Sequence, residues 1–420
     1  MAAIGDYLRI LRSGVFEHAE YARLHLGSRL LAPVAILHYL ARGEAAGLRP
    51  TPFFDPEHRR RAIGNRAVGN LFADFLARDD DVGACAEFDA AWYRAADPDV
   101  KTSGLSAWWH WHRIGRRALR DPGPDLSIAF VLTAYHKKPK RLMRSLLELF
   151  ERRRGRNGRR PPLSLAEHVA NRDAFKASIA FEVVASREGR GHTDLVFVQT
   201  SGRHPKALHA EDRTYDLLLD YYCAPIEPPP PADHVVRQNG TKVTAIAEIL
   251  RRCPDLLLRY ERVLFLDDDI DIDAVRIGRF FEIMAEDGLD LAQPALSERS
   301  TTAFPVLARV DGSRLRHLDA VEIMMPALSR RALEVAAPIF DMGVSGYGVD
   351  LRIGLAVRER FGETVAIVDE VVGEHLTPVD REGGAYYTFL AAHGIDPLVE
   401  LWVLTGEAGI RSAIREHRAG

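Results

Sequence analysis

The chain of 420 residues is long enough for two or three domains, and its 47% hydrophobic and 27% charged residues are typical of a globular protein. The net charge of −3 argues against the overall basic field of a general nucleic-acid binder. The cysteines Cys85, Cys223 and Cys253 form neither a disulfide framework nor a zinc-binding spacing. The cysteine pattern and an N-terminal segment that lacks a signal-peptide core lead us to expect a cytoplasmic protein. No apolar run reaches the roughly 18 residues that span a bilayer, which leaves peripheral membrane contact open.

Residues 1–124 are predicted to form a helical repeat domain. Phe54-Asp55-Pro56-Glu57 is similar to Phe88-Asp89-Ala90-Ala91 further along the chain. His38-Tyr39-Leu40-Ala41-Arg42-Gly43 is similar to His110-Trp111-His112-Arg113-Ile114-Gly115, and this second pair is separated by close to twice the spacing of the first. Repeats at such spacings indicate short helical units, which bury their apolar faces by stacking on one another.

The last of these repeats contains Trp108, Trp109 and Trp111. They could form a platform for stacking sugars, but aromatic residues dominate small cores, and we favour core packing. His110 and His112 have no carboxylate or cysteine close by in the sequence, so we expect packing or surface roles rather than metal binding.

Residues 125–420 are predicted to form an α/β domain, after a linker at Arg120–Pro124. Strands alternate with helices in this region, which favours a mainly parallel sheet flanked by helices, a Rossmann-like fold. The predicted strands are Ile128–Ala134, Phe181–Val184, Leu195–Val198 and Val263–Leu266, and the predicted helices are about 140–151, Thr241–Leu250 and Leu398–Gly420. Two surface loops are expected at 152–162, which is basic, and at 225–231, which is rich in proline. The basic loop is either a solvated loop, which we favour, or a contact with an anionic membrane or glycan.

A cluster of aspartates follows the apolar run Val263–Leu266 directly: Asp267, Asp268, Asp269, Asp271 and Asp273. Buried carboxylates are costly unless paired or bound to metal, so the cluster belongs at the carboxyl end of the strand, where open α/β sheets bind ligands. Oxygens at alternate positions can grip a divalent cation that holds a diphosphate. The alternative is an acidic turn in which Asp273 caps the next helix. We assign Asp267 and Asp269 to metal and nucleotide, and Asp271 and Asp273 to solvent or the cap.

Several further blocks occur in a fixed order around this cluster. They are Asn239-Gly240-Thr241-Lys242, Gly288–Leu296, Val321–Arg330, Tyr347-Gly348-Val349-Asp350, and Val368-Asp369 followed by His375. With these blocks the chain resembles a GT-A-type glycosyltransferase. More narrowly, it resembles an uncharacterised plant and bacterial family with Trp-Asp-Glu-Asp after a strand. Tyr347 replaces a tryptophan of that family and Asp268 replaces its glutamate. The N-terminal repeats resemble segments attached to bacterial glycosyltransferases of surface-polysaccharide synthesis.

The resemblance implies a nucleotide-sugar site that uses a divalent cation. His375 would complete a metal shell with Asp267 and Asp269, and an imidazole ligand favours Mn²⁺ over Mg²⁺. The nucleotide-binding residues it implies are Thr133, Ala134 and Tyr135 at the end of the first strand, with Lys242, Asp267 and Asp268. Lys242 lies at a helix start, where phosphate binding is favoured, although a surface lysine is an equal alternative.

The resemblance also suggests how the acceptor is handled. Asp350 would be the general base of an inverting transfer, with a helix cap as the alternative. Glu322 and Tyr347 are assigned to the acceptor side, since a carboxylate flanked by Val321 and Ile323 needs a specific partner.

The sequence thus leads us to expect a metal-dependent glycosyltransferase that moves a sugar from a nucleotide-sugar donor to a glycan or lipid-linked acceptor. We expect it to act in surface-polysaccharide synthesis, in the cytoplasm or at the inner face of the membrane, with partner enzymes of that pathway. Two alternatives remain open: a non-catalytic glycan-binding or scaffolding protein, and a Mg²⁺-dependent phosphoryl-transfer enzyme, although no Walker-type loop is present.

Overall fold

The computed structural model describes residues 2–64, 66, 68–78, 81–154, 160–187, 191–202, 206–223, 232–302, 304–378, 380, 384–406 and 414–416. The chain divides into two compact units, Met1–Ala170 and Asn171–Gly420. Part of the predicted basic loop (155–159), the predicted proline-rich loop 225–231, and residues 407–413 and 417–420 of the predicted terminal helix lie outside the described residues.

The first unit is helical. Its α-helices are Ala2–Ser13 (α1), His18–His25 (α2), Ala35–His38 (α3), Pro56–Ile63 (α4), Leu71–Arg78 (α5), Ala90–Ala96 (α6), Asp99–Ser103 (α7), Ala107–His110 (α8), Ile128–Ala134 (α9), Leu142–Arg154 (α10) and Leu165–Ala177 (α11), the last of which crosses the division. Short 3₁₀-helices occur at Arg29–Val34 and Pro139–Arg141, and π-helices at Tyr39–Gly43 and Trp111–Gly115.

The prediction of a strand at Ile128–Ala134 is wrong, because this segment is helix α9. Ser127 caps the helix by accepting a hydrogen bond from the Phe130 amide at 3.3 Å, and Thr133 Oγ1 donates to the Ala129 carbonyl at 2.7 Å. Thr133 is the single polar residue of this short run, so the sequence pattern cannot distinguish a strand, with a period of 2, from a helix, with a period of 3.6. The Ser127 cap favours the helix. The two compact units divide at 170/171, whereas the boundary predicted from the sequence is at 124/125.

Helix α10, which follows, also belongs to the first unit. It packs against α2, where Arg144 Nε lies 2.8 Å from Glu20 Oε2. Residues 125–170 thus extend the helical unit instead of opening the sheet.

Two parts of the first unit have the same construction. The Tyr21 hydroxyl lies 3.0 Å from His38 Nδ1, and the Tyr93 hydroxyl lies 3.0 Å from His110 Nδ1. Each histidine leads into one of the π-helices, and each π-helix ends at a glycine. The tyrosine hydroxyl lies against that glycine, so a Cβ there would overlap it.

The tryptophans of the second copy are core residues. Trp108 and Trp111 are fully buried. The Trp108 indole N–H donates to the Phe53 carbonyl at 2.7 Å, and that of Trp111 donates to the Arg120 carbonyl at 2.8 Å. With both rings enclosed and both N–H groups engaged inside the unit, core packing is the interpretation that the structure supports.

Within the described residues, no single helix is long and apolar enough to cross a membrane. The consecutive helical segments His18–His25 and Arg29–Gly43 reach that length and hydropathy only together, and the chain bends by 112° between them.

The second unit is built on a sheet with helices around it. Its strands in the described residues are Phe181–Ser186 (β1), Asp194–Thr200 (β2), Asp216–Tyr221 (β3), His234–Gln238 (β4), Arg262–Asp267 (β5), Ile270–Asp271 (β6), Leu291–Leu296 (β7), Arg316–His317 (β8), Ala327–Ser329 (β9) and Val365–His375 (β10). Its helices are Lys242–Arg252 (α12), Asp255–Leu258 (α13), Ala274–Glu286 (α14), Arg330–Phe340 (α15), Val349–Phe361 (α16), Ala385–Ala392 (α17) and Pro397–Gly406 (α18), with 3₁₀-helices at Lys206–His209 and Pro305–Leu307.

The strand order is β1-β4-β3-β2-β5-β9-β7-β10-β6, with β8 pairing β10. The pairs β4–β3, β3–β2, β2–β5 and β7–β10 are parallel, and β9 runs antiparallel between β5 and β7. Strands β2 and β3 are buried almost throughout, as are Val263–Leu266 of β5. The predicted α/β fold, a mainly parallel sheet flanked by helices with a helical N-terminal region, is confirmed.

The contact between each tyrosine and its glycine predicts the effect of adding one methyl group. We expect Gly43→Ala and Gly115→Ala each to lower the free energy of unfolding by about 1–3 kcal/mol, because the Cβ meets the Tyr21 or Tyr93 hydroxyl in a filled core. Gly5→Ala is the matched control: it lies within helix α1 with nothing within 4 Å of the new Cβ, so it should be neutral or stabilising. Urea denaturation measures all three, and equal effects at Gly43 and Gly5 would contradict this packing.

Candidate functional site at the carboxyl edge of the sheet

The sheet has a topological switch point between β2 and β5. From β2 the chain adds β3 and then β4 on one side, and it returns to add β5 on the other side of β2. In open α/β sheets, ligands bind in the crevice outside the carboxyl ends of the strands at such a point. Strand β2 ends at Thr200 and β5 ends at Asp267, so the aspartate cluster lies at this crevice.

Asp268 links the two strand ends across the switch point. Its Oδ2 accepts a hydrogen bond from the Ser201 backbone N–H at 3.1 Å. Burial raises the pKa of Asp268, and the Ser201 N–H opposes that rise. The nearby Gly202 has a φ of 99°, a left-handed conformation, and its N–H donates to Thr200 Oγ1 at 2.8 Å. The turn after β2 is therefore built from residues that we did not predict for the site.

Asp267 is held by Lys242. Thr241 and Thr244 form a reciprocal capping box that fixes the start of α12. The buried Lys242 ammonium then lies 2.6 Å from Asp267 Oδ1 and donates to the Met324 carbonyl at 3.0 Å. Burial raises the pKa of Asp267, and the Lys242 charge opposes the rise. Lys242 is thus not a surface lysine, and it partly neutralises the first aspartate.

Asp269 faces His375. Strand β6 pairs with the end of β10, so that Ile270 lies opposite His375. This register brings His375 Nε2 to 3.3 Å from Asp269 Oδ2. The hydrogen bond with Asp269 raises the pKa of His375 to about 9. Burial acts to raise the pKa of Asp269, but hydrogen bonds from His375 and Thr377 outweigh it and the pKa is lowered.

The other nitrogen of His375 is also engaged. Its Nδ1 lies 2.8 Å from the Thr301 carbonyl oxygen, and the His375 backbone N–H donates to Ser300 Oγ at 3.0 Å. Both ring nitrogens face oxygen acceptors, so the ring carries a proton on each and Nε2 donates to Asp269. If Nε2 lost its proton, the Thr301 carbonyl would keep the other proton on Nδ1 and leave Nε2 as the free lone pair. Metal-binding histidines commonly have this arrangement.

The predicted set of three metal ligands is only partly assembled. Asp269 and His375 meet, whereas Asp267 is turned to Lys242. In the part of the chain that the structure describes, no group of three or more histidine, cysteine or acidic side chains is arranged to hold a metal.

Two further carboxylates lie close to this cluster. Glu322 receives a hydrogen bond on its carboxylate from Thr302 Oγ1 at 3.4 Å, and its backbone N–H donates to Gln293 Oε1 at 2.7 Å. Burial, and secondarily the charge of Asp350, raises the pKa of Glu322 to about 7. The charges of His375 and Asp267 also act on Glu322, so it belongs to the same site.

Asp350 lies in the first turn of α16, while the cap position is taken by Gly348 in a left-handed conformation. Its Oδ1 accepts the Leu351 N–H at 2.8 Å. Burial raises the pKa of Asp350 to about 6, against the lowering effect of backbone N–H groups that include those of Leu351 and Ile323. A carboxyl group that titrates near pH 6 is suited to accept a proton at neutral pH.

Tyr347 is anchored from the C-terminal helices. Its hydroxyl lies 2.6 Å from that of Tyr387, and the Tyr386 hydroxyl donates to the Ser345 carbonyl at 2.7 Å. Buried Glu400 accepts the Val344 and Ser345 N–H groups at 2.7 and 2.6 Å. The loop before Asp350 is therefore fixed by α17 and α18, which we had not connected with the site.

The nucleotide residues assigned to the first strand need correction. Thr133 and Ala134 belong to helix α9 and Tyr135 follows it, so the strand that they were predicted to end does not exist. The Tyr135 hydroxyl donates to the Pro162 carbonyl at 2.9 Å, which is a packing role. The first parallel strand is β2, which ends at Thr200.

A buried carboxylate on β3 was also missed. Asp220 is fully buried, and one of its oxygens accepts hydrogen bonds from the side-chain amides of Gln199 and Gln238 at 3.1 and 3.0 Å. Among the residues that the structure describes, its other oxygen has no hydrogen-bond partner. Burial raises the pKa of Asp220 to about 7. The sequence signal was available: an aspartate follows Leu217–Leu219 directly, just as Glu322 interrupts an apolar run.

Comparison with known proteins gives a family match over part of the chain. Residues 230–381 match a family described as a protein of unknown function, DUF707. This segment contains Lys242, the aspartate cluster, Glu322, Asp350 and His375. No curated protein matches the chain.

Solved structures give distant likenesses. A mycobacterial protein matches at 17% identity over 56% of this chain and 81% of its own, with a TM-score of 0.32. Glucosyl-3-phosphoglycerate synthase from Mycobacterium tuberculosis, bound to Mn²⁺, uridine diphosphate and glucosyl-3-phosphoglycerate, matches at 16% identity over 49% of this chain and 81% of its own, with a TM-score of 0.28. A proposed nucleotide-diphospho-sugar transferase from Desulfovibrio desulfuricans G20 matches at 10% identity over 50% and 98%, with a TM-score of 0.29. Likenesses of this size carry no conclusion about the chemistry of this chain.

The raised pKa of Asp220 predicts a pH-dependent difference in stability. A carboxyl group with a folded-state pKa of about 7 binds its proton more tightly than in the unfolded chain, so its contribution to stability is complete below about pH 4 and is lost as the pH rises through 7. Asp220→Asn removes this loss. The variant should gain about 2 kcal/mol relative to wild type between pH 5 and pH 8.

Denaturant unfolding at both pH values measures the difference, with Asp271→Asn, an exposed aspartate, as the control. A constant gap between Asp220→Asn and wild type at the two pH values would show that Asp220 does not titrate in this range.

Proposed function

We propose that the protein is a metal-dependent glycosyltransferase of the GT-A type. It transfers a sugar from a nucleotide-sugar donor to a glycan or lipid-linked acceptor, in the synthesis of surface polysaccharide. The single observation that carries the proposal is the position of the Asp267–Asp269 cluster at the switch-point crevice, with Asp268 bound to the turn after β2 and Asp269 facing His375.

The charge balance of the site supports a cationic ligand. Five carboxylates (Asp267, Asp268, Asp269, Glu322 and Asp350) surround two basic side chains, Lys242 and His375. A nucleotide diphosphate alone would be repelled by this excess of negative charge, whereas its complex with a divalent cation would be attracted. The donor is therefore expected to enter together with the metal.

The chain has donors that fit a divalent cation. Asp269 stays ionised because its pKa is lowered. His375, whose pKa is raised to about 9, would give up its Nε2 proton on binding the metal, while the Thr301 carbonyl keeps the other proton on Nδ1. Asp269 and His375 would hold the ion, with Asp267 joining if it exchanges Lys242 for the metal. When bound, the cation stabilises the charge that develops on the leaving diphosphate, and the imidazole ligand favours Mn²⁺ over Mg²⁺.

The chain's own residues would then perform three tasks. Lys242, placed at the start of α12, is released towards the diphosphate if Asp267 turns to the metal. The turn Thr200–Gly202 holds Asp268 at the crevice through the Ser201 N–H and is itself fixed by the bond from the Gly202 N–H to Thr200 Oγ1. Asp350 takes the proton of the acceptor hydroxyl, with Glu322 and Tyr347 on the acceptor side; this assignment favours inversion at the anomeric carbon.

The proposal predicts metal-dependent release of nucleotide. With a panel of nucleotide sugars and Mn²⁺, the wild type should release nucleoside diphosphate, and EDTA should abolish the release. Asp269→Ala should lower the rate at least 100-fold, because the cation loses its anionic ligand. Asp271→Ala, an exposed aspartate of β6 outside the site, is the matched control and should retain the wild-type rate.

The products separate this proposal from its alternatives. Release of inorganic phosphate or of a nucleoside monophosphate in place of the diphosphate favours phosphoryl transfer. Binding of nucleotide sugars without turnover, across many acceptors, favours the scaffold.

The role of Asp350 predicts the pH dependence. A general base must be unprotonated, so kcat/KM for donor turnover should rise as the pH increases through about 6. Asp350→Asn should remove this limb and lower kcat by roughly 10²–10⁴-fold, with little change in donor binding. If the limb persists in Asp350→Asn and disappears in Glu322→Gln, whose pKa is about 7, the base is Glu322 and our assignment is wrong.

A further inference from the structure

The first unit has an exposed apolar surface formed by two segments. On helix α1, Ile4, Leu8 and Leu11 are spaced four and three residues apart on one side, and all three are exposed, Ile4 at 66%. The opposite side of this helix contains Ile10, which is fully buried. Helix α1 therefore has two apolar sides. One packs into the core through Ile10, and the other faces solvent.

The other segment is the 3₁₀-helix Arg29–Val34 and helix α3. Leu30 is 89% exposed, and Leu31, Val34 and Leu37 are also exposed. The two segments are neighbours, because Ile4 and Tyr7 line the same groove as Leu37, Leu40 and Ala41. We call this surface, Ile4, Leu8, Leu11, Leu30, Leu31, Val34 and Leu37, the N-terminal apolar face.

The exposed charges around this face have one sign. Arg9, Arg12, Arg29 and Arg42 are exposed. The carboxylates of the same stretch are sheltered: Glu20 is buried among Arg23, Arg29 and Arg144, Glu44 accepts the Leu71 and Phe72 N–H groups, and Asp6 and Glu17 are half-buried. An apolar surface with arginines around it is complementary to anionic lipid headgroups over acyl chains.

The fold itself does not require these apolar residues. When the second copy of the construction is aligned on the first through His38 and His110, Thr102, Ser103 and Ser106 occupy the positions of Leu30, Leu31 and Val34. The tyrosine–histidine pair and the π-helix form equally in both copies. At these three positions the exposed leucines and valine occur in the first copy alone and therefore need a reason other than folding.

We infer that the N-terminal apolar face docks on the surface of a membrane that contains anionic phospholipid. The leucines enter the boundary between headgroups and acyl chains, while Arg12 and Arg42 pair with lipid phosphates. Arg9 and Arg29 lie beside Asp6 and Glu20 and contribute less. The helical segments lie along the surface, because the chain bends by 112° between His18–His25 and Arg29–Gly43 and buries Tyr21 and Tyr39 inside the unit. This inference does not depend on the proposed function.

The test is co-sedimentation of the full chain with vesicles. Wild type should bind vesicles of phosphatidylcholine with phosphatidylglycerol, bind those of phosphatidylcholine alone more weakly, and lose affinity as salt is raised. The triple variant Leu30→Thr, Leu31→Ser, Val34→Ser copies the second repeat and should bind at least tenfold more weakly. The double variant Arg12→Glu, Arg42→Glu should lose the preference for phosphatidylglycerol.

Two controls keep the result interpretable. Val275→Thr removes an apolar side chain that is 75% exposed on helix α14 of the second unit and should leave vesicle binding unchanged. Circular dichroism melting should show that the triple variant folds, as the second copy already folds with these residues.

The inference is overturned if the wild type does not sediment with anionic vesicles, or if the folded triple variant binds as the wild type does. It is equally overturned if vesicles are not bound and the triple variant instead converts a dimer to a monomer in analytical ultracentrifugation, since the face would then join two copies of the chain. Nucleotide release in the absence of lipid tests the proposed function separately.

Discussion

The second unit depends on how it accommodates three consecutive carboxylates at the end of a buried strand. Each aspartate has a different partner: Lys242 for Asp267, the Ser201 N–H for Asp268, and His375 for Asp269. These partners come from the start of α12, the turn after β2 and the end of β10. Because an unpaired carboxylate is costly to bury, the cluster ties three distant parts of the chain to one strand end.

The loop before Asp350 is also held by buried polar groups that are paired. Glu400 on α18 is fully buried and accepts the N–H groups of Val344 and Ser345 and the Ser345 hydroxyl. Tyr386 and Tyr387 on α17 bind the same loop through Ser345 and Tyr347. The C-terminal helices therefore fix the position of Asp350, because their buried polar groups bind the loop that precedes it. The position of Asp350 is thus set without any ligand, the kind of preorganisation that favours catalysis.

The first unit obeys a different constraint, the close packing of aromatic side chains against a helix backbone. A tyrosine hydroxyl meets a histidine and a glycine twice, and each time the helix widens to a π-turn. Side-chain size at the glycine is therefore restricted, whereas the exposed positions differ freely between the copies. Leu30 in one copy and Thr102 in the other show that the construction tolerates both.

The sequence by itself determined the features that depend on short-range pattern. The change from the apolar run Val263–Leu266 to carboxylates identified strand β5 and its carboxyl end. The helix cap considered for Asp273 is also observed, since Asp273 accepts the Arg276 N–H at 2.8 Å at the start of α14. Helices α10 and α12 were predicted near their observed positions for the same reason, as helical spacing is local. Only the tertiary structure decided that β2 is the first parallel strand, and that Asp267 faces Lys242 while Asp269 faces His375. Those outcomes depend on strand order and on register between segments that are far apart in the chain, and no local period encodes them.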